Sequence, residues 1–259
     1  MTRTAILVSG GGTNLQALID AKQRGELPDT EFVGVISSSP DAYALERAKL
    51  ADIPRYVVDI AEYSSPPTPP QRRGQVKDAL LSEGGQAKDT PLSEGGQAKD
   101  APLFEGGRGG VSPRERFTDA IVDILNGIGA ELVITAGFLY ITTPRFVNEY
   151  SGRIINIHPS LLPAFGGAGC YGIHVHEKVL AYGVKVTGAT THFVTQEPDT
   201  GPIILQKAVE VLPEDTPETL QLRVMRQAEW RILPEAVALY CSGRLRVNGR
   251  IVTVEKLSV

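Results

Sequence analysis

The sequence predicts an α/β fold, a Rossmann-like and mostly parallel twisted sheet with helices on both faces, carrying a flexible low-complexity insertion. Three observations predict it. Residues 4–8 and 131–135 are near-continuous apolar runs, which is how strands covered on both faces read. Such runs alternate with amphipathic stretches through short loops, the pattern of a parallel sheet wound by right-handed crossovers. Between residues 64 and 112 the composition changes, and Leu81-Ser-Glu-Gly-Gly-Gln-Ala-Lys-Asp-Thr-Pro91 recurs from Leu92 to Pro102, with a third copy opening at Leu103.

Taken in order, residues 4–8 form the first strand, which breaks at Ser9-Gly-Gly-Gly-Thr-Asn14. The chain resumes as a helix with Leu15, Leu18 and Ile19 on one face, closing near Gly25. Residues 31–36 are the second strand and 41–51 its helix, with Asp41 as expected N-cap. Pro54 separates that helix from a third strand at 56–58. The repeat that follows has a period of eleven, but each unit holds one large apolar residue and closes on proline, so neither a helical repeat nor a solenoid core can form. The fold resumes at Pro113 with a helix over 114–129 (Phe117, Ile121, Ile124 and Leu125 inward), a strand at 131–135 and a short helix at 144–150. A strand through Ile154, Ile155 and Ile157 runs into a Pro163 loop rich in glycine, then a helix around 174–182. Residues 185–195 and 203–211 read as two strands joined by Gln196-Glu-Pro-Asp-Thr-Gly-Pro202, a linker of turn formers. A long amphipathic helix over 217–240, with its bend expected at Pro234, and an Asn-Gly hairpin over 245–253 complete the chain. One domain over 1–259 is expected, in three parts: 1–63, the insertion 64–112, and 113–259.

Composition narrows the function. At 259 residues and 42% hydrophobic, the chain can bury a full core. A net charge of −4 with scattered Lys and Arg argues against a nucleic-acid partner. Cys170 and Cys241 form no metal or redox motif, which fits a reducing compartment. The first strand starts at once, without a leader, and no apolar run is long enough for a bilayer. A cytoplasmic protein with small-molecule partners and no membrane is therefore expected.

Two places carry chemistry. The strand, Gly-rich turn and helix start at residues 4–19 make an anion site, because glycines let the backbone approach and free N–H groups meet the positive end of the helix dipole. The spacing is neither a dinucleotide fingerprint nor a nucleoside-triphosphate loop. A tight turn without a ligand is the alternative. The second place is Asn156-Ile-His-Pro-Ser-Leu-Leu-Pro163. Strand side chains alternate, so Asn156 and His158 share a face. An amide that can hold an oxyanion, beside an imidazole that can move a proton, suits work on a carbonyl. Asp199 sits on a loop able to fold back towards His158, where a carboxylate would raise the imidazole pKa; a plain turn residue is the alternative. His174 and His176 lie two apart on a helix, a poor zinc pair, and surface or helix-start roles are expected of both. His192, mid-strand, reads as a satisfied, half-buried histidine.

Together these residues resemble the folate-dependent formyltransferases, in the branch that serves purine biosynthesis. The likeness runs from Thr4 to about Leu245, interrupted by residues 64–112. It is carried by the Asn156–Pro163 motif, His192-Phe-Val-Thr195, Asp199-Thr-Gly-Pro-Ile-Ile-Leu-Gln206 and the opening Ser9-Gly-Gly-Gly-Thr-Asn-Leu-Gln16. The resemblance implies transfer of the formyl group of 10-formyltetrahydrofolate to the amine of 5-phosphoribosylglycinamide, directly and through a tetrahedral intermediate, with no metal. It implies that Asn156, His158 and Asp199 are catalytic, with a protonated His158 sharing the oxyanion. Gly12, Thr13 and Asn14 would hold the phosphate, and Glu229 the ribonucleotide. Leu139, Tyr140, Ile141 and Thr142, with Thr195, Gln196, Glu197, Pro198 and Asn156, would line the folate pocket, and Arg114 would contact the folate. Where relatives carry Met-Arg after Gly-Phe, this chain has Leu139-Tyr140. Rival readings are a formyltetrahydrofolate hydrolase and a sister transferase with another amine acceptor. A monomer or homodimer is expected.

Overall fold

The structure is a computed structural model, and it describes residues 1–64, 111–138 and 143–256. One nine-stranded sheet organises these residues, in the order β3-β2-β1-β4-β5-β6-β7-β9-β8. The strands are β1 (Thr2–Val8), β2 (Thr30–Ser37), β3 (Arg55–Val57), β4 (Leu132–Thr135), β5 (Ile154–His158), β6 (Val186–Phe193), β7 (Ile203–Glu210), β8 (Leu245–Asn248) and β9 (Ile251–Val254). From β3 to β5 all neighbours are parallel; β6 then pairs antiparallel with both β5 and β7. The hairpin β8–β9 joins the sheet through a parallel contact between Ile203 and Ile251.

Each face of the sheet is covered because side chains alternate along each strand. Ile6, Val8, Leu132, Ile134, Ile155 and Ile157 point into one core, against Leu15, Leu18 and Ile19 of α1 (Thr13–Gln23) and Val175 and Val179 of the α6 helix (Ile173–Tyr182). Ala5, Leu7, Val133 and Ile154 point into the other, against α4 (Pro113–Gly127) and α5 (Pro144–Glu149). Asn156 and His158 continue the Ile154 phase and so stand on the α4–α5 side. Strand order reverses between β1 and β4, and in such sheets ligands collect at the carboxyl ends of strands near that point. The Gly-rich turn after β1 and the end of β5 both lie there.

Local chemistry explains the helix starts. Ser112 and Glu115 form a capping box on α4: the Ser112 hydroxyl accepts the Glu115 N–H at 3.2 Å, and the Glu115 carboxylate accepts the Ser112 N–H at 2.7 Å. Ser112 thus belongs to the fold, and Ser64 ends α3 (Ile60–Ser64), a helix the sequence reading lacks, so both ends of the expected insertion are trimmed. The repeat itself lies outside the described residues. Asp41 is not a cap: α2 (Tyr43–Leu50) follows Ala42, and no side chain caps it. The long C-terminal helix divides into α7 (Pro217–Val224), a π-helical turn (Met225–Glu229) and α8 (Trp230–Cys241). The break therefore precedes Pro234, which lies inside α8, and an amphipathic pattern cannot show the wider turn because a π-turn simply shifts its phase. Among the described residues no helix is long and apolar enough to cross a membrane.

Candidate active site

The end of β5 builds a cluster of four polar side chains. Asn156 pairs with His192 across the antiparallel β5–β6 ladder and with Thr135 across the parallel β4–β5 ladder. Thr135 donates its hydroxyl to the Asn156 Oδ1 at 2.7 Å, which fixes the amide with Nδ2 on the far side. That nitrogen lies 3.1 Å from His192 Nε2. His192 Nδ1 is 2.9 Å from the Phe193 carbonyl, which can only accept, so Nδ1 carries the proton and Nε2 accepts from Asn156. One Nδ2 proton of Asn156 is left over. The β6–β7 register shifts between Thr191 and His192, a bulge of the kind that re-aims side chains beside active sites. His192 is 1% exposed and sits inside the cluster rather than half-buried beside it.

Asp199 reaches the cluster from the loop after β6. Its backbone has φ 56°, in the left-handed region, and its carboxylate lies 3.5 Å from His158 Nδ1 and 3.6 Å from His192 Nε2. The other oxygen accepts the Gly167 N–H at 2.8 Å. Gly201 lets this loop fold back, since a Cβ there would sit 1.7 Å from the Phe193 carbonyl oxygen. Burial pushes the Asp199 carboxyl up, but the neighbouring His192 and His158 rings and the Gly167 N–H outweigh it and hold the group below the usual carboxylate range.

His158 is set to receive a proton. Its Nε2 donates to the Phe165 carbonyl at 2.9 Å, so in the neutral ring Nδ1 presents a lone pair to Asp199. Burial holds its pKa below the ordinary histidine value; the Asp199 carboxylate and the Phe165 carbonyl pull it back up without restoring it. The upward pull expected of Asp199 on the His158 pKa is present, and burial outweighs it.

The Gly-rich turn is the second candidate place. Gly12 has φ 69° at the start of α1, and a Cβ on it would meet the Ala44 Cβ at 2.6 Å, so glycine is required there. Thr13 and Asn14 follow in the first helical turn, whose N–H groups have no partner within the helix. Asn14 Nδ2 donates to the Glu229 Oε2 at 2.7 Å, which ties the turn to the π-helical segment 215 residues away in sequence. Burial raises the Glu229 pKa to about 7 against the opposing Asn14 bond.

The remaining expected residues fall elsewhere. Thr195, Gln196 and Glu197 edge an open depression of about 480 Å³ that also touches Thr200, Pro202, Gly249 and Arg250. Thr195 and Thr200 hydroxyls lie 3.1 Å apart, and Thr200 donates to the Glu197 carbonyl at 3.0 Å, so the loop is internally braced. Pro198 is exposed on its tip, and Arg114 is exposed on the first turn of α4. Leu139, Tyr140, Ile141 and Thr142 lie outside the described residues. His174 is a surface residue paired with Glu177, but His176 is fully buried with neither ring nitrogen partnered, contrary to the surface role expected of it. Among the described residues no group of three His, Cys, Asp or Glu is placed to hold a metal.

Sequence reasoning missed Thr135 and the place of His192. Both are ordinary strand residues whose meaning comes from lateral pairing with Asn156, which no local pattern records.

Comparison with known proteins gives the family. Residues 2–237 match the family described as formyl transferase. The phosphoribosylglycinamide formyltransferase of Haemophilus influenzae is 32% identical over 251 residues, 97% of this chain and 92% of that protein. The crystal structure of glycinamide ribonucleotide transformylase 1 from Symbiobacterium toebii superposes with a TM-score of 0.75 at 36% identity, over 99% of this chain and 95% of that one. A formyltetrahydrofolate deformylase from Pseudomonas syringae shares the fold, with a TM-score of 0.70 at 24% identity over 98% of this chain, which spans 66% of that one. With a matching pattern over most of its length and relatives aligned nearly end to end, the chain belongs to the formyl transferase family.

Proposed function

We propose that this chain is a phosphoribosylglycinamide formyltransferase. It moves the formyl group of 10-formyltetrahydrofolate to the amine of 5-phosphoribosylglycinamide, giving N-formylglycinamide ribonucleotide and tetrahydrofolate. The observation that carries the reading is the juxtaposition of Asn156, His158, His192 and Asp199 at one strand end, beside an anion-binding turn of the kind a phosphoribosyl group needs. The folate supplies the formyl group. The unspent Asn156 donor and the braced loop at Thr195, Gln196 and Glu197 suit a formylated pterin.

The chain's own residues do the following. Gly12, Thr13 and Asn14 receive the phosphate, and Glu229 holds the ribonucleotide through the Asn14 contact. The leftover Nδ2 proton of Asn156 is donated to the formyl oxygen as charge gathers there, and Thr135 and His192 keep that donor aimed. A nitrogen–carbon bond forms to the acceptor amine and the folate's N10–carbon bond breaks, so one proton must pass from the amine to N10. His158 takes that proton on Nδ1, where Asp199 faces it as an ion-pair partner, and passes it to N10 as the N10–carbon bond breaks. The cation is thus most favoured when the proton arrives. Proton transfer by a positioned group contributes roughly 10²–10⁴-fold, and one oxyanion donor on the order of 10²–10³-fold.

The hydrolase reading differs only in the acceptor. Purified protein with 10-formyltetrahydrofolate would be followed for tetrahydrofolate with and without the ribonucleotide. Release that depends on the ribonucleotide is expected. Equal release in its absence would make water the acceptor and overturn the proposal. Small molecules are thus its partners, and a cytoplasmic setting fits the use of both.

A further inference from the structure

Arg47 is outside every expectation drawn from the sequence, yet it touches the anion turn directly. It lies on α2, and its Nε donates to the Gly11 carbonyl at 2.8 Å while Nη1 donates to the Gln16 Oε1 at 3.0 Å on α1. One turn earlier in α2, the Ala44 N–H donates to the Gly10 carbonyl at 3.1 Å. The Arg47 guanidinium carbon lies over the Tyr43 ring, 5.0 Å from its centroid.

These bonds orient the turn. In a planar trans peptide the N–H of one residue points opposite to the carbonyl of the residue before it. Holding the Gly10 and Gly11 carbonyls towards α2 therefore turns the Gly11 and Gly12 N–H groups together to the opposite side, where an anion can take both. The same contacts keep two carbonyl oxygens, each a repulsive partner for phosphate, off that side. Two N–H bonds of the guanidinium are spent on Gly11 and Gln16, out of the five an arginine carries. Its positive charge also stands against the turn.

We infer that Arg47 is the positioning residue of the phosphate cradle, setting the Gly10–Gly12 peptides for the anion and biasing the site towards a phosphorylated acceptor. The inference rests on the proposed phosphoribosyl site. A lysine would keep the charge but lacks the planar fork that bridges Gly11 and Gln16.

The test is steady-state kinetics of Arg47→Met and Arg47→Lys against the unaltered enzyme, with ribose 5-phosphate as competitive inhibitor and melting curves as a folding control. For Arg47→Met, KM for the ribonucleotide and the ribose 5-phosphate inhibition constant should rise together by roughly 10- to 100-fold, the worth of a hydrogen bond to a charged group. The kcat and the folate KM should stay within about threefold, and Arg47→Lys should fall between. A purely structural role would lower kcat or melting temperature and leave the KM values alone, and that result overturns the inference. An inhibition constant unchanged in both variants overturns it too. If ribose 5-phosphate fails to inhibit the unaltered enzyme at all, the phosphoribosyl site itself is wrong and the role of Arg47 falls with it.

Discussion

Replacing His176 with leucine should flatten the acid limb of stability. His176 is fully buried on α6, neither ring nitrogen has a partner, and burial, with a smaller push from His158, lowers its pKa from 6.5 to about 4. The sign follows from the direction. The unfolded chain binds the proton more readily, so the neutral folded ring contributes its full stability above pH 6.5 and loses it as pH falls towards 4. At pH 5 nearly every unfolded ring is protonated and few folded ones are, which costs about 2 kcal/mol relative to pH 8. Leucine carries no such proton and no unpaired nitrogens in a similar volume. Urea unfolding of both proteins at pH 8 and pH 5 should therefore show a stability gap between the two pH values smaller by about 2 kcal/mol in the variant. Equal gaps in the two proteins would refute the reasoning and mean that His176 finds a partner when folded.

Other outcomes follow from the same contacts. Because burial holds His158 below the ordinary histidine value, the acid limb of kcat/KM should lie below pH 6.5; a limb above it would mean that the Asp199 carboxylate wins over desolvation. Thr135→Val frees the Asn156 amide to turn, and should lower kcat about tenfold, the value of one neutral hydrogen bond, with the ribonucleotide KM unchanged. Gly12→Ala combines a left-handed backbone with a 2.6 Å approach to Ala44, and should cost about 2 kcal/mol or more of stability by urea unfolding while raising the ribonucleotide KM.

The parts of this account that were legible in the sequence are those with a local cause. Continuous apolar runs gave away the buried strands, an alternating pair put Asn156 and His158 on one face, and three glycines before a helix marked the tight turn into α1. Asp199 was placed by its resemblance to a known motif, because only the return of the loop at Gly201 and the left-handed Asp199 backbone bring it home. His192, Thr135 and Arg47 act through neighbours that the sheet and a crossover helix supply. Their own sequence surroundings say nothing of it. Helical periodicity could not reveal the π-turn at Met225–Glu229, since one wider turn leaves the apolar pattern readable on either side while turning Glu229 into the core. The solvation of His158 was likewise out of reach: sequence shows the carboxylate partner but not the burial that outweighs it.

The central claim is that Asn156 and His158 act together on the formyl group, and single-turnover formyl transfer by Asn156→Ala and His158→Ala tests it most directly. Each should lose on the order of a hundredfold or more in the rate of transfer, with urea unfolding transitions still cooperative. Near-normal transfer by either purified variant would contradict the account, and would mean that the cluster at the end of β5 holds the fold together without doing the chemistry.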